Sequence, residues 1–149
     1  MKVKDVMRSS VVTLGAEDNL SVADDVMTMG RIRHLPVVDG HRRVVGIVTQ
    51  RDLYKAAISS VLGFTKAKER EWLGKIKVSD VMTKKVTTID MEAGMTDAVD
   101  KMLSKKFGCV PVTDKDGCLV GLLTESGCLR CFRDLLKTAG RQAGSYLAY

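Results

Sequence analysis

The feature that most constrains this chain is an internal duplication. Val3-Lys4-Asp5-Val6-Met7 recurs as Val78-Ser79-Asp80-Val81-Met82, an offset of 75 residues, and holding that offset without a gap makes 16 of the 51 positions from 3 to 53 identical. The pairs include Glu17 with Glu92, Ala23 with Ala98, Asp25 with Asp100, Met27 with Met102, Pro36-Val37 with Pro111-Val112, and Val45-Gly46 with Val120-Gly121. A repeat of about fifty residues would leave an apolar sheet face open, so the two copies must complete their burial together. The pair is the folding unit. At 149 residues the chain has room for one such pair and not for a barrel enzyme beside it.

The copies share one coarse pattern. An apolar-acidic turn leads to a brief strand, Val11–Leu14 or Val86–Ile89. An amphipathic helix follows, with Ser21 or Thr96 as a plausible N-cap and Ala98, Val99, Met102 and Leu103 at helical spacing in the second copy. Two apolar runs then read as a strand pair, Leu35–Asp39 with Val44–Val48 and Val110–Asp114 with Cys118–Leu123, and a second helix opens at Thr49 or Thr124. The expected class is α/β, two quasi-symmetric β-α-β-β-α repeats packed as one module. Residues 1–60 form the first repeat, 61–77 a helical connector, 78–136 the second repeat and 137–149 a C-terminal tail. Gly63 and Gly74 punctuate the connector, and its Trp72 reads as a packing anchor.

Composition narrows the function classes. The net charge of +6 favours anionic partners, but the lysines and arginines from Lys66 to Arg141 are spread along the chain as solvated helix faces would be. No run of eighteen apolar residues and no apolar segment within MKVKDVMRSS supports a membrane span or a secretory signal, so a cytoplasmic protein is expected. Cys109, Cys118, Cys128 and Cys131 then read as reduced thiols. Cys128 and Cys131 form a C-x-x-C without the second pair or neighbouring histidines that a zinc site would use, so no metal and no resident cofactor are expected.

The order strand, helix, h-P-h-h-D, turn, G-h-h-T-x-x-D, helix resembles the CBS (cystathionine-β-synthase) domain family. Its residues here are Leu35-Pro36-Val37-Val38-Asp39 with Gly46-Ile47-Val48-Thr49-Gln50-Arg51-Asp52, and Val110-Pro111-Val112-Thr113-Asp114 with Gly121-Leu122-Leu123-Thr124. The resemblance covers roughly residues 1–136. It implies a disc-like module, often a dimer of pairs, that binds adenosine-containing ligands in clefts between the repeats.

The residues themselves suggest how. Thr49 lies where a strand ends and a helix begins, so its hydroxyl and the helix's first N–H groups face one point suited to phosphate. Asp52 follows on the same side of the first turn, where a carboxylate can accept from both ribose hydroxyls. That is the family's ribose-binding position. The same Thr-x-x-Asp pattern is also close to a capping box, but the second copy, Thr124-Glu125-Ser126-Gly127, has no acid in a helix that the pattern says still forms. By the resemblance, Arg33 and His34 would reach the phosphates, with Arg51 beside them. Ile76 and Val81 would meet the adenine, together with Phe107, Gly108 and Cys109 before the second Pro, and Ile47 would be a further nucleotide contact. With Gly127 in place of the acid and Gly108-Cys109 in place of Arg33-His34, one strong nucleotide site per chain is expected, for AMP, ADP, ATP or S-adenosylmethionine.

No paired-carboxylate, Ser-His-Asp or Cys-His arrangement points to an enzyme. A basic nucleic-acid-binding protein is the alternative reading, weakened by aromatics that make up only 5% and do not interleave with the basic residues. Apolar residues on the second helices, Leu53, Ala56, Ala57, Leu129, Phe132 and Leu136, suggest a homodimer. Tyr146, Leu147 and Tyr149 would either reinforce it or fray. Output would then be a conformational change read by an unidentified regulated protein.

Overall fold

The computed structural model describes residues 1–60, 63 and 65–146, and the side chains of these except 58–60 and 142–146. A single 3-10 turn at Val3–Asp5 precedes helix α1 (Leu20–Gly30), strands β1 (His34–Val38) and β2 (Val44–Thr49), and helix α2 (Gln50–Ser60). The connector contains α3 (Lys66–Leu73). The second copy runs through α4 (Val78–Val81), β3 (Ile89–Asp90), α5 (Met95–Lys105), β4 (Cys109–Thr113), β5 (Leu119–Thr124) and α6 (Glu125–Tyr146). The 75-residue offset survives in three dimensions: α1 and α5, β1 and β4, and β2 and β5 have bounds that differ by that number.

The chain forms two compact units, one of residues 1–10, 88–114 and 120–149, the other of residues 11–87 and 115–119. Each unit therefore takes its opening turn from the other copy. In the second unit β1 and β2 pair antiparallel with Leu35 opposite Val48, and Leu14 joins as a parallel bridge to Val37. Its core gathers Leu20, Ala23 and Met27 from α1, Leu35, Val37 and Val48 from the sheet, Leu53 and Ala56 from α2, and Leu73 and Val78. In the first unit β3 runs parallel to β4 with β5 beyond it, over a core of Val3, Ile89, Ala98, Met102, Val110, Val112 and Leu123. Val3 and Val78, the first apolar residue of each opening turn, are both fully buried. Burying one valine contributes about 1.5–3 kcal/mol.

Local chemistry explains the ends of the helices. Leu20, Ala23 and Met27 fall at i, i+3 and i+7 and point into the core, while Asn19, not Ser21, caps α1 by accepting from Val22 N at 3.2 Å. For α5 the cap position is Gly94, with no side-chain bond, and Thr96 lies inside the helix. Both helices stop at a residue in the left-handed region, Arg31 (φ 50°) and Lys106 (φ 55°). The early strand expected at Val11–Leu14 reduces to the bridge at Leu14, and its counterpart is the two-residue β3. Glycine is required where the opening turns cross the sheets. A Cβ on Gly46 would overlap the Met82 side chain, and one on Gly121 would overlap Met7.

No helix among the described residues is long and apolar enough to cross a membrane.

Candidate ligand site

In the second unit the β1–β2 hairpin places His34 opposite Thr49, at the end where β2 passes into α2. The Gln50 amide donates to the Arg33 carbonyl at 2.9 Å, which fixes the start of α2 beside Arg33-His34. The opening turn of the second copy completes this corner: Ile47 N donates to Thr83 O at 3.1 Å and Thr83 N to Ile47 O at 3.0 Å. Ile47, Ile76 and Val81 are half-buried, the last two packed on the core of this unit, and Arg33 and Arg51 are exposed. Ile47, Ile76, Val81, Thr49, Asp52, Arg33, His34 and Arg51 thus share one unit. Phe107, Gly108 and Cys109 belong to the other.

Asp52 is half-buried and its Oδ2 accepts from Thr49 N at 2.8 Å and from the Thr49 hydroxyl at 3.1 Å, while Asp52 N donates back to Thr49 Oγ1 at 3.4 Å. The capping reading of Thr49-x-x-Asp52 is therefore realised. The two bonds to Oδ2 orient the carboxylate at the strand-to-helix junction, and the third caps the helix. The first unit repeats the frame without the acid. Glu125 N donates to Gly108 O at 3.1 Å, and Thr124 Oγ1 caps α6 by accepting from Gly127 N at 3.1 Å. Helix capping at this position needs the threonine and not the carboxylate.

Two details were not legible as site features. Thr83 continues the Val-Met turn onto Ile47, and its counterpart Arg8 exchanges both backbone bonds with Leu122 at 2.9 Å. The 75-residue register already paired Arg8 with Thr83, but nothing in the sequence said that the residue after each Val-Met reaches the other copy's strand. The first unit consequently has a cation, Arg8, at a position where the second has Thr83. Cys109 is buried, and burial, with Glu125 nearby, pushes its thiol up to about 12, so it stands beside Gly108 as a neutral apolar group. Among the described residues no group of three or more His, Cys, Asp or Glu side chains could hold a metal ion.

These features define a class: a duplicated α/β module in which each strand-to-helix junction, closed by the other copy's opening turn, forms a polar half-site. The CBS domain model matches the chain twice, at residues 3–59 and 78–134. A CBS domain-containing protein of Dictyostelium discoideum is 35% identical over 127 residues, covering 85% of this chain and 88% of its own. The inosine-5′-monophosphate dehydrogenase of Methanocaldococcus jannaschii is 30% identical over 136 residues, which are 91% of this chain but only 23% of that enzyme. Among solved structures, the CBS domain pair of protein MJ0100 in complex with 5′-methylthioadenosine and S-adenosyl-L-methionine has a TM-score of 0.76 at 26% identity, covering 90% of this chain and 97% of that one. CBSX2 of Arabidopsis thaliana in complex with AMP has a TM-score of 0.76 at 25% identity, over 89% and 97%. The chain belongs to the CBS-domain family and is a tandem CBS pair.

Proposed function

We propose that this protein is a regulatory module that senses an adenosine-containing ligand through the half-site of its second unit. The observation that carries the reading is the pre-oriented Asp52 carboxylate at the β2–α2 junction, in the same unit as the half-buried Ile47, Ile76 and Val81. Asp52 would accept from the ribose hydroxyls, the Thr49 hydroxyl and the first α2 amides would meet the phosphate or the 5′ substituent, and Arg33 and Arg51 would supply positive charge to a phosphate. Ile47, Ile76 and Val81 offer the apolar surface that a purine face needs. The solved relatives with AMP, S-adenosyl-L-methionine and 5′-methylthioadenosine support this ligand class. Phe107, Gly108 and Cys109 remain candidates for the adenine.

Calorimetry of the purified chain against AMP, ADP, ATP and S-adenosylmethionine tests the reading. One strong site per chain is expected for at least one of them. Hydrogen bonds to a charged group contribute about 1.5–3 kcal/mol, so Asp52→Ala should weaken binding roughly 10- to 100-fold while the Thr49 hydroxyl keeps α2 capped. Arg33→Ala should penalise AMP more than adenosine. Binding unchanged in Asp52→Ala would return that residue to capping alone. Oligonucleotide binding that survives the same substitution would favour the nucleic-acid reading.

The second part of the proposal is a homodimer through α6. Leu129 (68% exposed), Phe132 (58%) and Leu136 (56%) form a stripe at i, i+3 and i+7 that stays exposed among the described residues. Leu53 and Ala56, expected to need a partner, are instead buried within their own unit beneath α1 and α3. The contact therefore rests on the second copy's helix. Tyr146 has no described side chain, and Leu147 and Tyr149 lie outside the described residues, so their expected reinforcement of it is not part of this proposal. Ligand binding would shift the module between arrangements that a regulated protein distinguishes, because a ligand moves only an equilibrium whose states it binds differently.

A further inference from the structure

The C-x-x-C of the second copy, Cys128 and Cys131, is a motif that the nucleotide reading leaves unused. The duplication shows what it replaces. Under the 75-residue offset Cys128, Cys131 and Met1 correspond to Leu53, Ala56 and Ile76. In the second unit those three hydrocarbon side chains belong to one apolar cluster, Leu53 and Ala56 inside the core and Ile76 packed against it. In the first unit all three positions carry sulfur. A single cysteine in an apolar place is ordinary packing, but two thiols and a thioether at one spot make a set of soft metal donors.

The geometry brings the three together within one unit. Cys131 Sγ donates to Met1 Sδ at 3.4 Å. Cys128 stands three residues earlier on α6, a spacing at which Cβ atoms on a helix are about 5–6 Å apart. Burial, and then the charge of Cys131, raise its thiol, as expected of close neighbours. Cys128 packs against the core of this unit, while Met1 and Cys131 line a groove of about 400 Å3 with Val6, Arg130 and Leu135. Both cysteines are half-buried and Met1 is 62% exposed, so an ion has a way in.

We propose that Cys128, Cys131 and Met1 form a binding site for a soft monovalent metal ion, Cu(I), held by two thiolates and a thioether. The C-x-x-C has no second pair in sequence, and the fold supplies the thioether of Met1 in its place. Taking the about 2.3 Å of a zinc–thiolate bond as a guide, three sulfurs around one ion lie about 4 Å apart, so Met1 and Cys131 need only a small opening. Zinc itself would call for a fourth ligand. The carboxylates of the groove are engaged elsewhere: Asp5 Oδ2 accepts from Lys2 N at 2.7 Å, and Asp134 pairs with Arg133 at 2.9 Å. A monovalent ion on two thiolates leaves one net negative charge, which the Arg130 guanidinium in the same groove can answer. On binding, the two thiols release their protons to solvent and no electron is transferred. The site uses no residue of the Asp52 half-site and none of the Leu129, Phe132 and Leu136 stripe.

The full chain, reduced and kept anaerobic, tests this by titration with Cu(I) against a chromogenic Cu(I) chelator. A single ion per chain should be withdrawn from the chelator, and in methyl-labelled methionine spectra the Met1 methyl should shift while those of the buried Met27 and Met102 stay. Removing even an outer partner of a metal ligand costs roughly 10- to 100-fold, so Cys131→Ser should weaken Cu(I) by at least about 100-fold. Cys128→Ala should do the same, with circular dichroism reporting its fold; should it unfold, Cys131→Ser on the groove wall carries the test. Cys118→Ser, in the other unit, should bind as the parent does. A chelator that keeps all the Cu(I), binding retained by Cys131→Ser, an equal loss in Cys118→Ser, or an unmoved Met1 methyl would each overturn the proposal and return the three sulfurs to packing.

Discussion

At position 52 the chain contains its own control experiment. The helix that follows each second strand is capped by a threonine hydroxyl in both copies, but only the first copy adds a carboxylate. Gly127 marks the vacancy. A Cβ there would come 3.3 Å from the Thr124 hydroxyl and 4.0 Å from the Val6 carbonyl, tight but open to a small shift of the threonine. Gly127→Asp should therefore fold, and it should raise the calorimetric stoichiometry from one ligand per chain toward two. A stoichiometry fixed at one would show that the acid is not what distinguishes the half-sites. Glu92 makes a different residue-scale prediction. Its bonds to Lys2 and then Lys4 hold its carboxyl at about 2, below the ordinary 4.5. A carboxylate with a depressed folded value stabilises fully above its unfolded value and loses that contribution as the pH falls toward the folded one. Urea titrations of Glu92→Gln should thus lie slightly below the parent at pH 7 and converge with it near pH 2; the exposed setting keeps the difference small.

Among the elements, the opening turns have the largest structural consequence for their length. Val3 and Val78 are the fully buried residues of these turns, and each fills the core built from the other copy's strands and helices. Neither copy can close its core alone. Val3→Ala and Val78→Ala should each cost about 1.5–3 kcal/mol, a large fraction of a normal folding free energy, despite lying in a helical piece of three or four residues. Denaturant midpoints of the two variants check this. A shift under half a kcal/mol for Val78→Ala would indicate that the turn is a lid and not part of the core. The same element logic accounts for α3. It is highly charged and exposed along most of its length, and its fixed place depends on Leu73 and on the Arg70–Asp25 pair.

For the whole molecule, the unmet surface lies on α6. An isologous dimer would bury the Leu129, Phe132 and Leu136 stripe against its own copy. Sedimentation at micromolar concentration should give a dimer for the parent and a monomer for Phe132→Glu/Leu136→Glu, with the ligand affinity of the Asp52 half-site retained within a few-fold. A parent that is monomeric with and without nucleotide would remove the dimer from the proposal. It would leave the half-site untouched, because none of the stripe residues belongs to it.

Much of this was fixed by local rules. The 75-residue register, the α/β order, the strand pairs and the second helices follow from periodicity and turn chemistry, which depend on neighbours in sequence, and the Thr49–Asp52 capping box follows from a spacing of three. The tertiary structure decided what depends on partners distant along the chain. It alone showed that Val3 and Val78 change places between the copies, that Ile76 and Val81 join Asp52 in one unit while Phe107–Cys109 lie in the other, and that α3 buries Leu53 and Ala56 within their own unit. A hydrophobic pattern states that a face must be covered. Which segment covers it is settled by the geometry of chain crossings, and that is not written in any window of the sequence.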